Sequence, residues 1–344
     1  MFGGIIKAIV HGIGNKTYAE LLKLSNNEIQ VTSRLNETIV EALDRTHFSD
    51  VAYSFFHESG ELELNPMYVY AKRIFNEGSL FIDNSVNIAR QLYESSDHPQ
   101  IHSGELFVFL FENCEYNGDK CKAIGLFKSE SRVNFLDLKY RAGSYTIEGI
   151  EGLNMGTFEK GAVIFDSKED EGYRVRVLMR SSKHVDARYW MNDFLHITKA
   201  NDSYNKTHRV IAVARNYVKE VLSQDENVSR VEQAEVLARM ASYFESKDVF
   251  DDVSFRQEVF KDRTQAEGFA QFGKEENLDG VYGPLGEFNI DKALTKKQAR
   301  YLRSVIKLDK NFHIYVHGGE GMIKKGYDEA SGMEYYQLFF SKEE

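Results

Sequence analysis

Apolar positions along the chain follow two periods, and the period changes near residue 182. Between 105 and 180 they form short alternating or continuous runs of strand length, among them ELFVFLFENC, KAIGLFKSES and YRVRVLMR. The links between these runs are too short for parallel crossovers, so we predict an antiparallel meander. Before residue 105, the pattern predicts strands at 5–11, 28–31 and 50–57 and amphipathic helices at 37–44, 67–75 and 80–93.

After Ser182 the apolar spacing becomes helical. Residues 204–222 place a broad apolar stripe on one side of a predicted helix and Lys206, Arg209, Arg215 and Lys219 on the other. Capping boxes predict further helix starts at Ser229, Ser254, Thr264 and Thr295. Near the C-terminus, a short helix at 296–303 precedes four small strands joined by glycine-containing turns.

These elements predict an α+β protein of two domains, because 344 residues exceed the size at which single cores stop growing. We expect an N-terminal antiparallel-sheet domain with helices at 1–184. A mainly helical C-terminal domain at 185–344 should end in a small antiparallel hairpin unit. The stretch 279–289 (DGVYGPLGEFN), rich in glycine, is interpreted as a connector.

One hairpin is specified closely by its turn. Asn117-Gly118 favours a type I′ turn, whose register places Cys114 opposite Cys121. The alternation makes this a hydrogen-bonded pair with Cα atoms about 5.5 Å apart. We expect reduced thiols in a cytosolic protein, and two cysteines without further ligands predict no metal site.

Charge is unevenly distributed. The composition, 42% apolar and 28% charged, is ordinary for a soluble globular protein, and no stretch reaches the 18 apolar residues of a membrane span. The net charge is −10, yet residues 173–219 hold ten Lys and Arg against three acids, and residues 291–310 hold seven against two. These two basic islands indicate either an anion-binding surface or faces that pair with acidic neighbours.

Motifs for catalysis are absent from the sequence. It lacks the P-loop, dinucleotide-binding, zinc-protease and nucleophile-elbow patterns. The glycine-containing stretches at 11–17 and 317–321 are interpreted as hairpin turns, and the acidic run at 166–171 as a solvated loop. We therefore predict no catalytic residue, no cofactor and no metal.

The basic islands supply the candidate binding residues. If the alternate arginines of the strand at 174–180 face the same way as the cations of the following helix, they form a strip that contacts phosphates without reading bases. Tyr189 and Trp190 adjoin this strip and could stack on unpaired bases, but the helical spacing of Trp190 with Phe194 and Leu195 favours core packing. Arg188 could pair with Asp186 or Asp193. The candidates for DNA binding are Arg174, Arg176, Arg180, Lys183, Lys206, Arg209, Arg215, Lys296, Lys297, Arg300 and Arg303.

The runs DARYWMNDFLHI, RVIAVARNYVKEVL, IKLDKNFHIYVHGG and YYQLFFS resemble the bacterial nucleoid-associated proteins of the YejK type. The resemblance implies a cytoplasmic bacterial protein that lies on the nucleoid and associates with DNA, without an assigned enzymatic activity. The acidic net charge departs from that of small basic proteins that coat chromosomes. It favours a localised contact, or recruitment through another nucleoid protein.

Three functions stay open at this point. The leading hypothesis is sequence-tolerant, non-enzymatic binding of double-stranded DNA. The alternative is an interaction module that docks on a nucleoid enzyme through its aromatic-rich C-terminal strands, with the basic islands binding an acidic partner. A metal-dependent nuclease is the third. A homo-oligomer is compatible with all three, and no membrane partner is expected.

Overall fold

The computed structural model describes residues 2–154, 156, 158–180, 184–276, 287–302, 304–308, 312–316 and 321–342. The chain divides into two compact units, Met1–Ala200 and Asn201–Glu344, named here the sheet unit and the helical unit. The predicted α+β class is confirmed, with an antiparallel sheet first and helices with terminal hairpins second. The sheet unit includes residues 185–200, which lie beyond the boundary at 184 that the sequence predicts.

The sheet unit combines a large sheet with helices on its faces. Its strands are β1 (Gly4–Ile13), β2 (Tyr53–Phe55), β3 (Gly104–Tyr116), β4 (Asp119–Ser129), β5 (Val133–Arg141), β6 (Ser144–Gly152), β7 (Lys160–Phe165), β8 (Arg174–Met179) and β9 (Ile197–Lys199). Its α-helices are α1 (Ser33–Asp44), α2 (Pro66–Asn76), α3 (Phe81–Ser95) and α4 (His184–Ala187), and α4 continues into a π-helix at Arg188–Phe194.

Seven strands form one antiparallel sheet in the order β1-β3-β4-β7-β8-β2-β9. The predicted hairpin is confirmed in its register, with Cys114 opposite Cys121, and both thiols are free. The simple meander is wrong, because β4 pairs with β7 while β5 and β6 form a separate hairpin. The strand predicted at 28–31 is also wrong, since these residues form no strand, although the Ile29 amide donates to the Ala8 carbonyl of β1 at 2.7 Å.

Both faces of the sheet are buried, which the continuous apolar run of β3 explains. Alternate residues Leu106 and Val108 pack in one core with α2, α3 and the π-helix. Phe109 and Phe111 point the other way and pack with residues of α1. The sheet is therefore the middle layer of three.

The helical unit has its own core. Its helices are α5 (Ser203–Glu220), α6 (Arg230–Ser246), α7 (Asp252–Val259), α8 (Arg263–Glu275) and α9 (Lys292–Leu302). Its strands are β10 (Val249–Phe250), β11 (Phe288–Asn289), β12 (Ser304–Leu308), β13 (Phe312–Val316), β14 (Ile323–Asp328) and β15 (Met333–Leu338). Tyr217 of α5 lies at the centre of this core, with its hydroxyl donating to the Gln265 carbonyl at 2.9 Å. The strands β12 to β14 pack through Ile306, Ile314 and Ile323 against the start of α6.

The helix starts show which capping predictions hold. Ser229 caps α6 as predicted, with its hydroxyl accepting from the Glu232 amide at 3.2 Å. The predicted starts at Ser254, Thr264 and Thr295 are wrong, because aspartates upstream accept the first amides instead: Asp251, Asp262 and Asp291. Of the predicted connector, residues 279–286 lie outside the described residues, and 288–289 form β11.

Candidate functional site

Two of the candidate arginines on β8 serve the interior of the sheet unit. Arg174 is buried, forms an ion pair with Glu171, and donates to the Tyr173 carbonyl at 3.3 Å. Arg176 is half-buried and donates to the carbonyls of Ser49, at 2.9 Å, and Asp50. The predicted cationic face of this strand is therefore wrong. The alternation assumed that one side of β8 meets water, whereas α1 and the segment before β2 cover that side.

Arg180, at the end of β8, is exposed and lines an open cleft of about 940 Å³ with Arg34 of α1 and Arg45, the residue that follows α1. Its guanidinium donates to the carbonyls of Phe158, at 3.0 Å, and Gly156, so its position is fixed. Glutamates of α1 share the cleft, which gives it mixed charge. The sequence pattern missed Arg34 and Arg45 because the glutamates between them cancel their charge in any local count.

The cations of α5 separate into two groups. Lys206 lies 5.9 Å from the Phe288 ring, and Arg209 donates to the Glu276 carbonyl. Arg215 and Lys219, one turn apart, line a second cleft of about 820 Å³ together with Arg230 of α6. Asp225 and Glu226 lie on the rim of the same cleft.

The second basic island contributes α9, which carries four cations and no acid. Lys296 and Lys297 are exposed on this helix, and α9 packs against α5 and α6. Ile306 of β12, within the same island, lines the cleft of Arg215. Helices α5 and α9, which belong to the two basic islands, therefore contact each other in the helical unit. Lys183 and Arg303 lie outside the described residues, as does the side chain of Arg300.

A network of buried ion pairs lies beside the π-helix that contains Trp190. The Lys160 ammonium lies 2.7 Å from Glu130 and 3.2 Å from Asp186, and the Lys128 ammonium lies 3.0 Å from Glu130. Burial lowers the pKa of Lys128, against the nearby carboxylates that raise it. The Tyr189 hydroxyl lies 3.3 Å from Lys128. The sequence pattern missed both lysines because each stands next to an apolar strand segment without any motif.

This network fixes the π-helix against the sheet, so Tyr189 and Trp190 are interior residues. Trp190 is fully buried and donates to the Gly161 carbonyl at 3.3 Å, which confirms its predicted core packing. Since Asp186 pairs with Lys160, the partner of Arg188 is Asp193, at 3.8 Å. Stacking of these two rings on unpaired bases would require their removal from the core.

The acidic run at 166–171 is engaged in ion pairs. Glu169 pairs with Lys72 at 3.1 Å, and Glu171 pairs with both Lys168 and Arg174. Among the residues that the structure describes, no group of three His, Cys, Asp or Glu side chains has the arrangement of a metal site. Electrostatically, the carboxylates of this run neutralise nearby cations.

The comparisons with known proteins identify a family. No curated protein matches the chain. A family model described as nucleoid-associated protein YejK matches residues 9–332, and the chain therefore belongs to this family. Membership confirms the resemblance stated above and gives the protein a role at the bacterial nucleoid. The family is generally non-enzymatic. None of the described helices has both the length and the apolarity that crossing a membrane requires.

Proposed function

We propose that this nucleoid-associated protein binds double-stranded DNA directly, without chemistry, through cations of the helical unit. The contact surface consists of Arg215, Lys219, Arg230, Lys296 and Lys297, named here the helical basic surface. The observation that supports it is that α5 and α9, from the two basic islands, contact each other and α6. Lysine and arginine side chains at such a surface bind phosphates.

The cleft lined by Arg215, Lys219 and Arg230 also contains acidic residues, which explains why the proposed DNA contact is localised. Asp225 and Glu226 border the same cations, and the whole chain carries a net charge of −10. Carboxylates repel phosphates, so DNA approaches only where cations project, and the protein does not coat the duplex. Phosphate contacts carry no base information, and binding is therefore sequence-tolerant.

The other candidates contribute less in this proposal. Arg174 and Arg176 are bonded within the sheet unit, and Arg209 is bonded to a backbone carbonyl. Arg180 lies in a separate cleft of mixed charge with Arg34 and Arg45. That cleft is an auxiliary phosphate contact whose removal weakens binding less than removal of the helical basic surface.

Charge-neutralising variants test the assignment. Fluorescence anisotropy is measured on two duplexes of unrelated sequence with Lys219→Gln, Arg230→Gln and Lys296→Gln combined. The matched control combines Lys120→Gln, Lys274→Gln and Lys342→Gln, which change the net charge equally at exposed positions elsewhere.

We expect the first variant to raise the Kd at least about tenfold on both duplexes and the control to change it little. Equal weakening by both sets would assign the effect to net charge alone and reject the helical basic surface.

A separate experiment tests whether the protein cleaves DNA. Supercoiled plasmid is incubated with the protein and Mg²⁺ or Mn²⁺, and it should remain intact over hours. Nicking that co-purifies with the protein and depends on the metal would favour the nuclease hypothesis instead.

A second candidate function rests on the C-terminal strands. Phe312, Tyr315, Tyr327 and Phe340 are exposed there, in a unit whose core is otherwise well filled. Exposed aromatic side chains favour docking on a protein. If this docking recruits the protein to the nucleoid, a pull-down should retain the same partner after nuclease treatment, and Tyr315→Ser with Phe340→Ser should abolish it. Loss of the partner on nuclease treatment would favour direct DNA binding.

A further inference from the structure

The hairpin of β5 and β6, named here the arm, is unusual in its exposure. Within the described residues its two strands pair only with each other. An isolated two-stranded hairpin is marginally stable in water, because it lacks a core on which to pack. The arm nevertheless carries many large apolar side chains that the described part of the chain leaves largely exposed.

The strand register places the side chains of the arm on two faces that differ in composition. Directly opposite residues of an antiparallel pair lie on the same face, and successive residues alternate. One face, named here the apolar face, consists of three opposed pairs: Tyr140 with Tyr145, Leu138 with Ile147, and Leu136 with Gly149. Its five side chains each leave between 59 and 70% of their surface exposed.

The opposite face is mixed. Its Phe135–Ile150 pair is apolar and about half exposed, and its charged groups follow further along the strands. The Lys139 ammonium lies 2.9 Å from Asp137 and 2.9 Å from Glu148. These ion pairs direct the charges of the arm away from the apolar face. The apolar face is therefore uncharged over all three pairs.

The size of the apolar face fits a protein interface. Side chains of this size expose about 200 Å² when free, so five of them at about two-thirds exposure present roughly 600 Å². A standard interface buries about 800 Å² on each partner, and the largest patch on a typical monomer is about 300 to 600 Å². Asn134 and Glu151, opposed at the base of the same face, add a polar rim.

Gly149 leaves a hollow at one end of this face. Its φ is not in the left-handed region, and a Cβ added there would meet nothing within 4 Å. Neither the backbone nor a neighbour in the chain therefore requires glycine. A glycine inside a strand weakens it, and often marks a place where another molecule approaches closely.

The three pairs are complementary to themselves under a two-fold rotation. The two-fold axis lies parallel to the face, runs perpendicular to the strands, and passes through the Leu138–Ile147 pair. Rotation about this axis places a second copy face to face with the first, with its strand direction reversed. Tyr145 of one copy then lies over the hollow at Gly149 of the other, and Tyr140 lies over Leu136. The bulky end of each arm thus fills the empty end of its partner, as an isologous interface requires.

From this arrangement we propose that the apolar face is the dimer interface of the protein, with a second copy of the same chain as its occupant. Two arms stack face to face, about 10 Å apart, as sheets in a sandwich do. The inference goes beyond DNA binding. A dimer would also place two helical basic surfaces on one particle, which raises the effective concentration of the second contact.

Sedimentation velocity from about 1 to 100 µM tests the oligomeric state, a range that covers ordinary homodimer affinities. The wild type should be a dimer in the upper part of this range. Leu138→Glu places a charge on the axis and should raise the dissociation constant at least about 100-fold. Thr146→Glu, on the opposite face of the neighbouring strand β6, is the matched control and should remain a dimer.

The Gly149→Ile variant distinguishes this specific dimer interface from unspecific apolar association. It adds apolar area and favours the strand, so an unspecific apolar contact would strengthen. In the two-fold arrangement the new side chain fills the hollow that Tyr145 occupies, and the dimer should weaken at least about tenfold. A Leu138→Cys variant in a Cys121→Ser background should cross-link to its partner with a short bismaleimide, and Thr146→Cys should not.

A wild type that stays monomeric throughout the range would overturn the proposal. So would a dimer that Leu138→Glu leaves unchanged, or one that Gly149→Ile strengthens, because each result would place the interface elsewhere. Far-UV circular dichroism of each variant checks that the main sheet, which the arm does not join, is intact.

Discussion

His11 should make the sheet unit sensitive to mild acid. The residue lies near the end of β1 with 1% of its surface exposed. Its Nδ1 accepts from the Ser25 amide at 3.2 Å, so the proton is on Nε2, which donates to the Ser85 hydroxyl at 3.1 Å. Protonation of Nδ1 would break the bond to Ser25 and bury a charge. Burial accordingly lowers the pKa of His11 from 6.5 to about 4.

The size of the stability loss follows from the difference in proton binding between the folded and unfolded states. In the unfolded chain His11 binds a proton near pH 6.5, whereas in the folded chain it does so only near pH 4. The unfolded state thus binds more protons in this window, and stability is lost as the pH falls through it. The loss amounts to about 2 kcal/mol at pH 5 and about 3 kcal/mol below pH 4. Above pH 6.5 the contribution is fully present.

Urea unfolding followed by tryptophan fluorescence measures this loss. Trp190 is the single tryptophan and is buried in the sheet unit, so its emission reports that unit. Between pH 7.5 and 5 the wild-type midpoint should fall by roughly 1 M through this residue. His11→Gln cannot titrate and should show a flatter dependence, whereas His47→Gln, at an exposed position, should keep the wild-type one. Burial also lowers the pKa of His196, so this residue likewise reduces stability as the pH falls. Equal pH dependence in the wild type and His11→Gln would refute the reasoning.

Three further variants or reactions probe other features. Lys160→Met removes the buried cation that lies between Glu130 and Asp186 and should cost about 3 to 5 kcal/mol in unfolding free energy, against less than about 1 kcal/mol for Lys139→Met in an exposed ion pair; similar costs would contradict the buried network. Gly172→Ala should cost at least about 2 kcal/mol in the same assay, since φ is 84° and a Cβ would lie 2.2 Å from the Phe55 carbonyl oxygen; a neutral result would mean that the turn differs. Burial and nearby acids raise the pKa of Cys121 to about 11, so iodoacetamide at pH 8 should alkylate it about 100-fold more slowly than a thiol of pKa 9, and fast labelling would contradict this.

Local geometry explains what could be predicted from the sequence. The Asn117-Gly118 turn fixes a register, because both residues accept a positive φ, and the whole hairpin follows from it. Helix positions followed from apolar spacing. Their starts did not, because Asp251, Asp262 and Asp291 satisfy the first amides before the serine and threonine patterns begin.

Long-range packing explains what could not be predicted. Arg174 and Arg176 alternate with valines as a solvent-facing row would, and only the segments packed on β8 show that this face is covered. The arm consists of two strand-length runs with short links, like those of the neighbouring sheet strands, so nothing local marks its departure from the sheet. The meeting of Arg215 and Arg230 in one cleft depends on how α5 packs against α6.

The salt dependence of DNA binding tests the central proposal most directly. Five phosphate contacts from the helical basic surface predict a slope of log K against log salt concentration of about −4.5. The Lys219→Gln, Arg230→Gln and Lys296→Gln variant should reduce the magnitude of this slope by about 2.7, while the matched control leaves it unchanged. No binding to duplex at low salt, or a slope that is the same in the wild type and the variant, would contradict direct contact through this surface.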